Sequence, residues 1–127
     1  MIVLDASAAV SALLSDGTAR RTLATEQVHV PHLVDAEVAS ALRRRAAMHQ
    51  LDPRAAWRAL DIWRRLGLTR HPTYTFLDRI WELRENVSAY DATYVALAEY
   101  LDCALLTADT RLSRSAKIRC PVTMIPR

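Results

Sequence analysis

Short apolar segments alternate along the chain with longer segments in which apolar residues recur at helical spacing. The short segments predict strands at residues 2–4, 28–30, 68–70, 103–106 and 122–125. The longer segments, together with Gly, Pro and Asp residues that begin or end helices, predict helices at residues 6–14, 18–25, 33–49, 53–66, 74–84 and 89–101. Strands that alternate with helices indicate an α/β domain in which helices cover both faces of a mostly parallel sheet.

Composition narrows the class of protein. The chain has 127 residues, of which 51% are hydrophobic, and only two are Gly. We expect one globular domain over residues 1–127, and we exclude collagen-like, coiled-coil and disordered chains. No Lys or Arg precedes the apolar start and Asp5 interrupts it, so we expect a native N-terminus and a cytoplasmic protein. Cys103 and Cys120 lack a metal-like spacing and are expected to be reduced core residues.

The positive charge is concentrated in the middle of the chain. Residues 43–79 contain nine Arg and three acidic residues, whereas the chain as a whole carries a net charge of +3. A basic surface attracts polyanions by releasing their counterions, which makes nucleic acid a candidate partner. The alternative is that these arginines form an ordinary solvated helix face.

Two aspartates lie where predicted strands end. Asp5 directly follows the strand at 2–4, and Asp109 follows the strand at 103–106 by a short interval. In open α/β sheets the functional crevice lies beyond the carboxyl ends of the strands. If these two strands are parallel and central, both carboxylates face one crevice. Each aspartate could instead be an ordinary helix N-cap.

Two further acids occupy predicted helices. Glu37 interrupts an apolar stripe, where an unpaired carboxylate is costly and needs a compensating charge such as an arginine. Asp91 opens a helix that is apolar almost all round and is therefore predicted to be buried. Asp91 could simply complement the helix dipole.

Taken together, the four acids suggest a metal site. Buried carboxylates repel one another unless a cation neutralises them, and an all-oxygen donor set favours a hard ion, Mg²⁺ or Mn²⁺. Such sites serve phosphoryl chemistry, in which the metal activates water and stabilises charge on the phosphate. Ser7 and Thr107 lie two residues from Asp5 and Asp109 and could support this site or act as caps. The four histidines have no metal-type spacing and are interpreted as incidental.

Four segments in order resemble the PIN-domain nucleases, specifically the VapC toxins of bacterial toxin–antitoxin pairs. They are Asp5-Ala-Ser7-Ala, then Pro31 with Glu37 and Ala41-Leu42, then Tyr90-Asp91-Ala92 continuing to Ala98, and finally Leu106-Thr107-Ala108-Asp109. The one departure is Thr110-Arg111-Leu112, where an aromatic residue is common in relatives.

The resemblance implies a three-layer α/β/α fold and a Mg²⁺-dependent endoribonuclease. Its catalytic and metal-binding quartet would be Asp5, Glu37, Asp91 and Asp109, with Ser7 and Thr107 as supporting polar groups. The resemblance also implies a VapB-type antitoxin partner and a homodimer. Two competing hypotheses remain: a receiver-like Mg²⁺-binding phosphoacceptor domain, which needs a lysine at the end of a late strand, and a non-catalytic module that binds nucleic acid or antitoxin through a vestigial pocket.

The helix at 53–66 is a candidate RNA contact. Arg54, Arg58 and Arg65 form a basic stripe on it, and Trp57 lies beside them, off the apolar face. We expect these arginines to contact phosphates without reading sequence. Trp57 could contact RNA, antitoxin or a second copy of the chain, or simply lie over its own helix.

Overall fold

The strands form one sheet in which every pair is parallel, in a computed structural model that describes residues 1–126. The strands are β1 (Ile2–Leu4), β2 (Val28–Pro31), β3 (Thr69–His71), β4 (Ala104–Thr107) and β5 (Val122–Met124). Their order across the sheet is β3-β2-β1-β4-β5. The chain therefore builds the sheet in one direction from β1 to β3 and then returns to the other side of β1.

Six α-helices connect these strands within the described residues. They are α1 (Ala6–Leu14), α2 (Thr18–Thr25), α3 (Leu33–Ala47), α4 (Pro53–Arg65), α5 (Leu77–Glu82) and α6 (Ala89–Tyr100). The first four pack on one another, and α5 packs on α6. Because crossovers between parallel strands are right-handed, the change of direction after β3 puts these two groups on opposite faces. The predicted three-layer α/β/α fold is confirmed.

One predicted helix is wrong in detail. The segment predicted as a helix at 74–84 is a 3-10 turn, Thr73–Phe76, followed by the shorter helix α5. Pro72 has no N–H group and precedes the turn, and the backbone of Phe76 leaves the helical region at φ −109° and ψ 7°. This break separates the 3-10 turn from α5. The other elements agree with the prediction to within one or two residues.

The core lies on both faces of the sheet. Helix α6 is buried at every position from 92 to 98, which confirms the predicted buried helix. On α4 the apolar face contains Ala56, Ala59 and Trp63, and Trp57 is 56% exposed away from it. Cys120 is buried, and burial raises the pKa of its thiol to about 11. Within residues 1–126 no helix is long and apolar enough to cross a membrane.

A polar clamp fixes α3 against its neighbours. The Asp35 carboxylate accepts a hydrogen bond from Trp63 Nε1 at 2.8 Å. It also accepts from Arg70 Nε at 2.8 Å and from Arg70 Nη2 at 2.9 Å. The Arg70 contact lowers the pKa of Asp35, as do the smaller effects of Trp63 and His32, so the carboxylate stays charged. The clamp joins α3 to α4 and β3, and it positions the turn of α3 that carries Glu37.

Candidate active site

Asp5 lies at the seam between β1 and β4. Its backbone N–H continues the ladder of β1 by donating to Leu106 O at 3.2 Å, and its side chain caps α1 by accepting from the backbone N–H of Ala8 at 2.9 Å. Only 5% of the residue is exposed. The cap and the candidate site are therefore the same carboxylate, so the two interpretations of Asp5 do not exclude each other.

Two hydroxyls connect Asp5 to the end of β4. Ser7 Oγ donates to Asp5 Oδ1 at 2.6 Å, and the Thr107 hydroxyl donates to Asp5 Oδ2. In turn Ser7 Oγ accepts from the Ala108 N–H at 2.9 Å, and Thr107 Oγ1 accepts from the Asp109 N–H at 3.0 Å. The backbone that leaves β4 is thus linked to both oxygens of Asp5 through one hydroxyl each. Ser7 and Thr107 thus both contact Asp5, and their supporting role in the site stays a prediction.

Asp109 carries the second strand-end carboxylate, and it is paired with Arg111. Arg111 Nη2 donates to Asp109 Oδ2 at 2.6 Å, and Arg111 Nε donates to Oδ1 at 3.0 Å and to Oδ2 at 3.2 Å. The backbone N–H of Arg111 also donates to Oδ1 at 2.9 Å. The side chain of Asp109 is 20% exposed, whereas that of Arg111 is 81% exposed.

Glu37 lies on α3 and is held by a phenol. The Tyr94 hydroxyl on α6 donates to Glu37 Oε1. The sequence led us to expect a compensating charge such as an arginine, and that expectation is wrong for the direct contact. Arg44 acts on Glu37 only through its charge, as the smallest effect on the pKa of Glu37. A neutral donor therefore satisfies the carboxylate without cancelling its charge.

Asp91 lies in the first turn of α6. Ser88 caps this helix, and its hydroxyl accepts from the Asp91 N–H at 3.1 Å. Asp91 is half-buried and is not itself the cap, and the charges of Asp109 and Asp5 raise its pKa in addition to the larger effect of burial. Its first-turn position also places it at the positive end of the helix dipole, so the alternative interpretation of Asp91 and the site interpretation do not exclude each other.

The four acids act on one another electrostatically. Burial is the largest cause of a raised pKa for each of Asp5, Glu37 and Asp91. Neighbouring carboxylates raise these pKa values further: Asp109 acts on Asp5, Asp91 and Asp5 act on Glu37, and Asp109 and Asp5 act on Asp91. Hydrogen bonds from Ser7, Thr107 and the Ala8 backbone oppose the effect at Asp5. The structure thus brings all four predicted acids into one cluster, from four separate segments of the chain.

The donor chemistry of this cluster fits a hard cation. All four candidates supply carboxylate oxygen, which Mg²⁺ and Mn²⁺ prefer, and like-charge repulsion gives a cation a favourable place. Among residues 1–126, however, no group of three or more His, Cys, Asp or Glu side chains is arranged to hold an ion. The carboxylates instead accept hydrogen bonds from Ser7, Thr107, Tyr94 and Arg111. Ion binding at this cluster would therefore require some of these side chains to move.

Two depressions adjoin the cluster. A groove of about 920 Å³ between α1, α2 and α3 is lined by Ser7, Glu37 and Ala108 at the acidic end. Three arginines also line it, Arg21, Arg44 and Arg45, and we call them the groove arginines. A smaller depression of about 430 Å³ is lined by Arg84, Ser88, Asp91 and Arg111 among other residues. The acids thus lie between two hollows, each of which carries positive charge.

The predicted RNA contacts on α4 lie elsewhere. Arg54, Arg58 and Arg65, which we call the α4 arginines, are exposed and line neither depression. Arg65 Nη2 pairs with Asp61 Oδ2 at 3.3 Å, and Arg64 lies over the ring of Trp57, 5.6 Å from its centroid.

Two of the histidines lie outside the cluster and contact each other: His29 Nδ1 and His71 Nε2 are 2.8 Å apart on neighbouring strands.

Sequence reasoning missed three residues of the site. Tyr94 was assigned to an apolar run, although a buried tyrosine hydroxyl needs a partner and Glu37 was a buried acid without one. Arg111 was treated only as a departure in packing, although its position two residues after Asp109 is within reach of that carboxylate. Arg44 had no local signal, because its place in the groove depends on how α1 packs against α3.

The repulsion within the cluster predicts a stability difference for the Asp91→Asn variant in chelator. A carboxylate with a raised folded pKa binds more protons when folded, so its cost to stability appears as the pH rises from the unfolded value, near 3.8, to the folded value. Removing that charge relieves the repulsion, and Asp91→Asn should unfold at a higher temperature than wild type at neutral pH. Below about pH 4 the difference should vanish.

Asp78→Asn is a matched control, because Asp78 lies in the first turn of α5 as Asp91 lies in the first turn of α6. Both variants remove a first-turn carboxylate, and Asp91→Asn also removes the repulsion from Asp109 and Asp5. Thermal unfolding with chelator and with millimolar Mg²⁺ should show metal stabilisation of wild type and of Asp78→Asn but little for Asp91→Asn. Equal metal shifts in all three proteins would remove Asp91 from the site. Asp5→Asn is a poorer test because it also alters the cap of α1.

Comparison with known proteins identifies the family. The profile of the PIN domain family matches residues 2–118. Ribonuclease VapC9 of Mycobacterium tuberculosis is 58% identical over 127 residues, which is 100% of both chains. Ribonuclease VapC1 of the same organism is 40% identical over 128 aligned positions, covering 97% of this chain and 96% of that protein.

A solved structure shares the fold. That structure is VapC20 of Mycobacterium tuberculosis, which is described as a toxin that cleaves the sarcin–ricin loop. VapC20 superimposes on this chain with a TM-score of 0.67. It is 22% identical and the match covers 94% of this chain and 99% of that chain, so the likeness concerns the fold alone. The family profile matches nearly the whole chain, and VapC9 is 58% identical over its full length. This chain therefore belongs to the PIN-domain family, among the VapC ribonucleases.

Proposed function

We propose that this protein is a metal-dependent endoribonuclease that acts as the toxin of a toxin–antitoxin pair. The observation that carries the proposal is the cluster of four acids, Asp5, Glu37, Asp91 and Asp109, in which burial is the first cause of a raised pKa at the first three. The cluster lies beside β1 and β4, where the sheet reverses direction, which is the usual place for a ligand in an open α/β sheet. The full-length identity to a VapC ribonuclease supports the same function.

The four carboxylates are the proposed ligands of Mg²⁺, with Mn²⁺ as the alternative ion. When bound, such an ion activates water and stabilises charge on a phosphodiester. The chain contributes a preorganised frame: Ser7 and Thr107 fix both oxygens of Asp5, and Tyr94 fixes Glu37 Oε1. Because these donors are neutral, they orient the carboxylates and leave their negative charge available to the cation.

The two depressions support a path for the RNA strand. The groove arginines lie along the larger hollow, which begins at Glu37 and Ser7. We propose that they bind phosphates of nucleotides adjacent to the cleaved linkage. The α4 arginines lie outside the groove and are proposed to contact phosphates farther along the strand. Neither set would read base identity, because phosphate contacts carry no sequence information directly.

Substitution in the quartet should abolish most of the activity. Asp91→Asn and Glu37→Gln are each expected to lower the rate of RNA cleavage in Mg²⁺ by roughly a hundredfold or more, the scale of losing one preorganised electrostatic element. The measurement is cleavage of a labelled RNA by protein purified free of antitoxin, with Mg²⁺ and with chelator. Asp78→Asn serves as the control and should retain wild-type activity. Full activity in Asp91→Asn would contradict the assignment.

The two arginine sets can be separated by the length of the RNA. Replacing the groove arginines or the α4 arginines by Gln removes the same charge, and each change should weaken binding to long RNAs of every sequence. For every phosphate that the protein no longer binds, the slope of log K against log salt should flatten by roughly 0.7. Only the groove variant should weaken binding to an RNA a few nucleotides long. An unchanged salt slope for the α4 variant would assign that face to solvent or to a protein partner.

We further propose a VapB-type antitoxin, a homodimer and a cytoplasmic site of action. VapBC2 of Rickettsia felis, solved with a DNA fragment from its promoter, superimposes with a TM-score of 0.66 at 15% identity, covering 99% of this chain and 100% of that chain. Two-fold dimers are also the commonest oligomers. Light scattering at micromolar concentration should give about twice the 14.3 kDa of one chain. Co-expression with the cognate antitoxin should suppress growth arrest, and a monomer in solution would contradict the dimer.

The competing hypotheses receive less support. A receiver-like domain needs a lysine at the end of a late strand, but Lys117 is exposed in the loop between β4 and β5, where its carbonyl oxygen accepts from Arg79 at 2.8 Å. A non-catalytic binding module is an outcome of the cleavage experiment: RNA binding without Mg²⁺-dependent cleavage in wild type would favour it.

A further inference from the structure

We propose that Arg111 is a mobile counterion, which pairs with Asp109 until a divalent cation binds and then turns to contact a phosphate of the RNA. The proposal rests on the proposed function, because it assigns a second partner to a residue of the same site. It makes Arg111 a positioning residue whose two contacts belong to two successive states of the site.

The first contact is the fork between Arg111 and Asp109. The side chain of Arg111 reaches both oxygens of the carboxylate, at 2.6 Å from Nη2 to Oδ2 and at 3.0 Å from Nε to Oδ1. Arg111 is the one side chain that pairs in this way with a member of the quartet among residues 1–126. At Asp5 and Glu37 the side-chain donors are hydroxyls, which carry no charge.

A cation at the cluster would oppose this fork for two reasons. Coordination by Asp109 needs at least one of the oxygens that Arg111 now occupies, and a divalent ion repels the guanidinium at short range. The hydroxyl donors can remain in place when an ion binds, because they face no such repulsion. Arg111 must therefore yield when an ion binds Asp109.

Release of Arg111 costs little. The Arg111 side chain is 81% exposed, so water can take over its hydrogen bonds, and the bound cation compensates the charge of Asp109, whose side chain is 20% exposed. The backbone N–H of Arg111 donates separately to Asp109 Oδ1 at 2.9 Å, so the loop keeps its own tie to the carboxylate when the guanidinium leaves. The side chain can thus move without disturbing the backbone that carries Asp109.

The smaller depression offers a place for the released side chain. Arg111 lines this hollow together with Asp91, Ser88 and Arg84. A phosphate bound in this hollow would meet both arginines, because Arg84 and Arg111 line it together. Guanidinium groups recognise phosphate through paired N–H donors in the same geometry in which they recognise carboxylate. Exchange of Asp109 for phosphate therefore keeps the guanidinium paired at each stage.

The test compares Arg111→Gln with Arg114→Gln. Arg114 is an exposed arginine three residues farther along the same segment, so the control removes the same charge without breaking the fork. Calorimetry with Mn²⁺ and no RNA measures ion affinity directly. Arg111→Gln should bind the ion roughly three to ten times more tightly than Arg114→Gln, because the ion no longer competes with a guanidinium.

The second measurement is steady-state cleavage of RNA in saturating metal. Arg111→Gln should lower kcat/KM by roughly tenfold relative to Arg114→Gln, chiefly through a higher KM, because the guanidinium no longer holds a phosphate of the RNA. Unfolding curves should show that both variants are folded at the temperature of the assays, since both side chains are exposed. Arg111→Gln should therefore bind the ion more tightly and have a higher KM for RNA. A merely structural role of Arg111 would not produce these two opposite effects.

The remaining outcomes overturn the proposal. Equal or weaker ion affinity in Arg111→Gln would show that the arginine does not compete with the ion. Tighter ion binding with unchanged KM would show that it does not contact the RNA. Failure of the proposed function looks different: wild type would cleave no RNA, or would bind Mn²⁺ no better than Asp91→Asn does.

Discussion

Repulsion among four carboxylates at the seam of β1 and β4 is the constraint around which the site is built. Folding brings together acids that burial and neighbouring charge both disfavour in the ionised form. Elsewhere in this protein a carboxylate is paired with an arginine: Arg70 pairs with Asp35, and Arg79 with Glu99. At the seam, hydroxyl groups donate to Asp5 and Glu37 without cancelling their charge, and Arg111 pairs with Asp109. Hydrogen bonds therefore hold Asp5 and Glu37 in place without neutralising them.

The rest of the fold supplies the rigidity that this arrangement needs. β1 and β4 are parallel neighbours in register from Ile2 to Leu4, so Asp5 leaves β1 beside Thr107, and Asp109 follows Thr107 by two residues. Glu37 comes from another layer, and its position depends on the clamp that Asp35 forms with Trp63 and Arg70. Asp35 and Glu37 are two residues apart on α3. One of them anchors the helix through charge neutralisation, and the other faces the cluster.

The sequence predicted the elements and the four acids because each has a local signal. Strand ends placed Asp5 and Asp109, and the interrupted apolar stripe placed Glu37. The partner of Glu37 was not predictable in the same way, because Tyr94 lies 57 positions away and its orientation depends on how α6 packs against the sheet. The split near Phe76 was missed because its apolar spacing continues through the break. Arg111 did have a local signal, because it lies two residues after Asp109, but an arginine is not a metal ligand and was not considered as part of the site.

The contrast between neutral and charged donors also orders the events at the site. Ser7, Thr107 and Tyr94 can keep their hydrogen bonds when a cation arrives, because a carboxylate oxygen has more than one lone pair and a hydroxyl carries no net charge. The Arg111 guanidinium cannot remain equally well placed, because the cation repels it and uses the same oxygens. A site designed only for stability would pair every carboxylate with arginine. At Asp109 the partner is instead charged and exposed, so Arg111 is free to move when an ion binds, and it borders the smaller hollow, where we propose that a phosphate of the RNA lies.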